Sequence, residues 1–144
     1  MKKTLLSLLI YFTFSYSHSS EIKLIKIFDG LNKPWSLSFI DENNILITEK
    51  PGNLLIVNLK DKTKSVIKHN LSVLEDGQGG LLDVMFHDEH VYVSYSENRG
   101  NWQSSTSVAR GVFNNKNINF KNIFRAEPPI NSGYHFGSRL VIKK

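Results

Sequence analysis

Two short segments of this chain carry groups that could do chemistry. Asn131-Ser132-Gly133-Tyr134-His135-Phe136-Gly137 holds a histidine among glycines and small polar residues, just before the apolar run Leu140-Val141-Ile142. Imidazole ordinarily accepts and returns a proton near neutral pH, so His135 is the candidate general base. The second segment is Asp76-Gly77-Gln78-Gly79-Gly80. Its glycines let a flat ligand approach the backbone closely, and the Gln78 carboxamide can both donate and accept hydrogen bonds. Taken singly, an Asp-Gly stretch is ordinarily a tight turn, and a histidine before a strand is ordinarily a structural hydrogen-bond donor. His87, Asp88 and His90 flank an acidic turn but lack a third convergent ligand group, so no metal site is assigned.

Such groups need a scaffold, and the pattern is strand upon strand. Strands are expected over 21–28, 36–40, 44–50, 53–59, 65–68, 81–87, 90–96, 105–113 and 138–142, with no helical periodicity. Turn formers separate them: Asp29-Gly30, Asp41-Glu42-Asn43-Asn44, Pro51-Gly52, Asp76-Gly77 and Asn114-Asn115. Short strands at this spacing make a sandwich, a barrel or a propeller.

An internal repeat favours the propeller. Phe39 aligns with Phe86 and Asp41-Glu42 with Asp88-Glu89 after a step of 47 residues, and one deleted turn residue then brings Ile45-Leu46-Ile47 onto Val91-Tyr92-Val93. A period of about 40–50 residues built from strand, acidic turn and strand is that of one four-stranded blade per repeat. The first blade is expected to begin near Trp35, the second near Gly80 and a third at Ser138. The two glycine segments therefore occupy equivalent places, each entering the innermost strand of a blade, and Gln78 and His135 are expected to converge on one ligand. Two to two and a half blades do not close a ring, so the expectation is an amino-terminal portion of a longer protein.

Lys2 and Lys3 precede the uncharged run Leu5–Phe14 and a serine-rich exit, so residues 1–20 are expected to be a signal peptide, with 21–144 the propeller portion. The apolar run is too short to span a bilayer comfortably, and a short membrane anchor is the alternative. The expected location is therefore the periplasm or outside the cell. Cysteine is absent, so disulfides contribute nothing. The 18 basic and 13 acidic residues leave a net charge of +5, and the lysines form no sustained stripe with interleaved aromatics, so nucleic acid is not an expected partner.

The ordered motifs are more specific than any one of them. Leu31-Asn32-Lys33-Pro34-Trp35-Ser36-Leu37-Ser38-Phe39, Ile47-Thr48-Glu49-Lys50-Pro51-Gly52-Asn53-Leu54, Gly77-Gln78-Gly79-Gly80-Leu81-Leu82-Asp83-Val84, Val91-Tyr92-Val93-Ser94-Tyr95-Ser96, Ser107-Val108-Ala109-Arg110-Gly111 and His135-Phe136-Gly137-Ser138-Arg139-Leu140 follow one another in the order and spacing of a known family. Together they resemble the start of the PQQ-dependent soluble sugar dehydrogenases, the glucose/sorbosone dehydrogenase family. The resemblance implies a six-bladed propeller that binds pyrroloquinoline quinone (PQQ) with calcium and oxidises the anomeric hydroxyl of an aldose to a lactone, passing electrons to an external acceptor. It implies that His135 is the base, that Gln78 belongs to the cofactor and sugar pocket, and that Tyr134 lines the sugar side. Tyr134 stands where glucose-specific members carry an acid, which points to broader aldose specificity. The calcium ligands and the remaining quinone contacts are expected beyond residue 144, and a homodimer is a possible state of the full-length protein. Two other functions are compatible with the residues: a secreted propeller that binds a sugar or partner without catalysis, and a calcium-dependent lactonase in which His135 activates water.

Overall fold

The computed structural model describes residues 22–143; the expected signal peptide lies outside the described residues. Among the described residues there is no helix, and the strands form two sheets. In chain order they are β1 (Pro34–Phe39), β2 (Asn44–Glu49), β3 (Asn53–Asn58), β4 (Thr63–His69), β5 (Leu81–His87), β6 (His90–Asn98), β7 (Ser104–Val112), β8 (Asn117–Ile118) and β9 (Lys121–Arg125). The first sheet is an antiparallel meander of β1 to β4, with β8 added parallel to β4. The second has the order β5-β6-β7-β9, all antiparallel.

The repeat is realised strand for strand. Phe39 pairs with Ile45 across β1 and β2, and Phe86 pairs with Val91 across β5 and β6. Each pair is closed by its acidic turn. In the first, Asp41 Oδ1 accepts the backbone N–H groups of Asn43 and Asn44 at 2.8 Å. In the second, Asp88 and Glu89 take left-handed backbone angles, φ 46° and 60°, which suit the right-handed twist of a two-residue hairpin.

Burial follows the two-residue period of a strand on both faces. Leu46 and Leu54 point into the space between the sheets, where they meet Leu81, Val84, Val91, Val93 and Tyr95 of the second sheet. Ile45, Ile47, Leu55 and Val57 fill the opposite face of the first sheet, covered by Phe28, Leu31 and Leu59. A strand buried on both faces reads as a continuous apolar run, which is what Ile45-Leu46-Ile47 shows within β2. The connection after β7 ties the sheets together: Asn70 Nδ2 donates to Phe120 O at 3.0 Å while Phe120 N–H donates to Asn70 Oδ1 at 2.8 Å.

Two expected strands are absent. Residues 22–28 form no ladder; Ile22, Leu24 and Ile25 are exposed and no neighbouring strand satisfies their backbone. Residues 138–142 likewise pair with no strand among the described residues, although their start is tied down by side chains. Conversely, β8 and β9 were not expected: Lys121–Arg125 is exposed at every position and carries no alternating signal.

Candidate functional site

All the connections that matter lie at one end of the sheets, where β1, β3, β5 and β7 begin and β2, β4 and β6 end. Between β4 and β5 runs the loop containing Gln78, and after β9 comes the loop containing His135. They meet backbone to backbone. Gln78 N–H donates to Gly133 O at 2.7 Å, and His135 N–H donates to the Gln78 carboxamide Oε1 at 3.0 Å, joining residues 57 apart. Both side chains are exposed, and the His135 imidazole makes no hydrogen bond among the described residues. The structure thus brings the His135 backbone and the Gln78 side chain together. Tyr134, 60% exposed, lies beside the imidazole with ring centroids 6.3 Å apart.

Glycine is required where the loops touch. A Cβ on Gly77 would come within 2.4 Å of Gly133 O, and Gly77 has φ +52°. A Cβ on Gly79 would lie 2.9 Å from Cε2 of Phe136, whose buried ring anchors the residue after His135. His135 itself has φ +66°, a left-handed conformation that costs a residue with a Cβ about 1–2 kcal/mol. The surroundings enforce it through a line of polar side chains across the second sheet. Thr106 Oγ1 donates to Phe136 O at 2.7 Å, Ser94 Oγ donates to Ser138 O at 2.6 Å, and Asp83 Oδ2 accepts the Leu140 N–H at 2.7 Å. The segment after His135 is thereby led inward from β7 to β6 to β5.

Asp83 and Lys50 are functional candidates that sequence reasoning passed over. Asp83 is buried, and its Oδ1 accepts from Ser36 Oγ of the first sheet at 2.6 Å and from Arg139 at 3.3 Å. Its signal was an acid in the apolar run Leu81-Leu82-Asp83-Val84. Lys50 Nζ donates to Gly77 O at 2.7 Å and stands 5.8 Å from the centroid of the Trp35 ring, a cation–π distance. Trp35 and Arg139 line a common open cavity of about 570 Å³ beside β1. Below the loops, the buried Glu97 carboxylate accepts from Arg125 at 2.5 and 2.6 Å and from Ser107 at 2.7 Å. Burial alone would raise its pKa, but the bonds from Arg125 and Ser107 outweigh it and hold the carboxyl below its ordinary range.

The donor set suits a planar, anionic, oxygen-rich ligand: two cations (Lys50 and Arg139), a carboxamide, an indole face and an unpaired imidazole. Among the described residues no three His, Asp or Glu side chains gather closely enough to hold a metal ion.

Two successive antiparallel sheets sharing one core are the blades of a propeller. The family model described as Glucose / Sorbosone dehydrogenase matches residues 31–144, and the chain belongs to that family. It is similar to the aldose sugar dehydrogenase YliI of Escherichia coli strain K12, with 33% identity over 122 residues covering 78% of this chain and 33% of that protein. Among solved structures it resembles a glucose dehydrogenase at 36% identity and TM-score 0.74, covering 80% of this chain and 36% of that one. It shares its fold with the PQQ-bound aldose sugar dehydrogenase of Streptomyces coelicolor, at 21% identity and TM-score 0.63, covering 73% of this chain and 34% of that one. The chain spans about a third of the length of the curated relatives it matches.

Proposed function

We propose that this chain supplies the catalytic base and one wall of the cofactor and sugar pocket in an exported, PQQ-dependent aldose dehydrogenase. The observation that supports the proposal is the hydrogen bond from His135 N–H to Gln78 Oε1, which joins the two glycine loops at one end of the two sheets. The imidazole takes the proton from the anomeric hydroxyl, and the oxygen's electron pair then forms the lactone carbonyl as hydride leaves the same carbon. When bound, a quinone would supply the two-electron acceptor for that hydride. Gln78 keeps its amide N–H groups for a ligand oxygen, Tyr134 flanks the sugar, and Lys50 and Arg139 attract the carboxylates of the cofactor. No step is assigned to calcium.

The test is dye reduction by the complete protein, loaded with PQQ and calcium and offered a panel of aldoses. Turnover with several aldoses is expected. Lactone hydrolysis that proceeds without quinone, with no dye reduction, would transfer His135 to a water-activating role and overturn the proposal.

A further inference from the structure

The turn between β6 and β7 lies on the same end of the second sheet as Gln78 and His135. Gln103 N–H donates to Gly100 O at 2.9 Å, and the two central residues, Asn101 and Trp102, have φ 51° and 59°. This is the hairpin turn in which both central residues are left-handed, and glycine is the favoured residue at the second. The chain places tryptophan there. A bulky side chain in this conformation costs about 1–2 kcal/mol, and the ring is 79% exposed. Neither the backbone nor the core gains from it, so its cost calls for a function outside the fold.

Trp102 lines an open recess of about 410 Å³ with Leu74, Asn98, Gly100 and Asn101. That volume falls in the ~300–1,000 Å³ range of small-molecule sites. None of the lining side chains is charged. The adjacent Arg99 is spent on Glu127 at 2.7 Å and Ser105 at 3.0 Å. Asn98 Oδ1 accepts from Gly100 N–H at 3.0 Å, which leaves its amide hydrogens for a ligand. An aromatic face with neutral amides beside it matches a pyranose ring, whose C–H face packs on the indole while its hydroxyls meet the amides. The recess is coupled to the proposed catalytic loops: Ser96 Oγ accepts Gly80 N–H at 2.7 Å, and Leu74 N–H donates to Ser96 O at 2.9 Å. Asn98 lies two residues further along β6, about 6–7 Å at ~3.3 Å per residue.

We infer that Trp102 is an outer sugar subsite, which stacks the non-reducing unit of a reducing disaccharide or short oligosaccharide while the reducing unit lies against Gln78 and His135. The inference rests on the dehydrogenase reading for the second half of that sentence only. The experiment compares Trp102→Gly and Trp102→Phe with the parent, all as the complete quinone-loaded protein, using maltose and glucose as probes. Trp102→Gly relieves the turn, so its thermal midpoint is expected to equal or exceed the parent's. Its KM for maltose rises about tenfold with KM for glucose unchanged, and Trp102→Phe recovers most of the loss. Calorimetric titration with maltose and glucose, without an electron acceptor, is expected to show the same loss of preference. If no aldose is oxidised, the dehydrogenase reading fails and the calorimetric preference still decides the subsite. An unchanged maltose-to-glucose ratio in Trp102→Gly overturns the inference.

Discussion

His135 and Gln78 each sit in a stretch whose local sequence says little: a histidine among small residues and an amide among glycines. Their meaning comes from the bond between them, and that bond is non-local. The polar residues that hold the pair were harder to foresee because their partners are non-local too. Asp83 falls in an apolar run and resembles an outward-facing strand residue, yet it is buried and joins Ser36, Arg139 and the Leu140 backbone. Two ionisable groups of the scaffold, His69 and Glu97, respond to acid. Burial lowers the pKa of His69 from its ordinary 6.5, partly offset by the contact of its Nε2 with Gly52 O at 2.8 Å. Glu97 is held below its ordinary 4.5. In both cases the unfolded chain binds the proton more readily, so the stabilisation is present above the unfolded pKa and is lost as pH falls toward the folded one. Thermal midpoints of the complete protein are expected to decline in two stages on acidification, first below about pH 6.5 and again below about pH 4.5. His69→Asn should remove the first stage. A midpoint that rises between pH 7 and pH 5 would contradict the assignment.

At the scale of elements, the strands with clear alternation or a continuous apolar run, β2, β3, β5, β6 and β7, were legible because burial on one or both faces leaves a period in the sequence. Those that were not, β8 and β9, are exposed pieces placed by their neighbours: β9 by antiparallel pairing with β7, β8 by a two-residue parallel tie to β4. The expected strand over 138–142 is instead a segment guided by Thr106, Ser94 and Asp83, a pattern invisible until the sheet brings those three side chains into line. The glycine loops act as one element, since Gly77 and Gly133 touch where no side chain fits. Gly77→Ala is therefore expected to destabilise the protein by about 1–3 kcal/mol, through both its φ of +52° and the collision with Gly133 O. It should also lower turnover by moving Gln78 away from His135. Denaturant unfolding together with dye reduction checks this, and a stable, fully active Gly77→Ala would show that the loops need not meet.

At the scale of the molecule, the 47-residue repeat foretold the arrangement best, because duplicated hairpins place duplicated loops at the same end. β1 is the inner edge of the first sheet, with Trp35, Leu37 and Phe39 exposed, while Ile123 and Phe124 are exposed on β9 of the second sheet. These surfaces flank the cavity of Trp35 and Arg139 on one side and the guided segment on the other. That cavity is lined by β1, by Ile47 of β2 and by Arg139, which Asp83 ties to the second sheet.

The most direct test of this account is His135→Asn in the complete protein, read two ways at once: quinone uptake followed by its absorbance, and aldose-dependent dye reduction. The account predicts that uptake persists, since Gln78, Lys50 and Arg139 are untouched and the backbone N–H at position 135 still reaches Gln78, while kcat falls by roughly 10²–10⁴. Turnover at the parent's rate with uptake intact would contradict it.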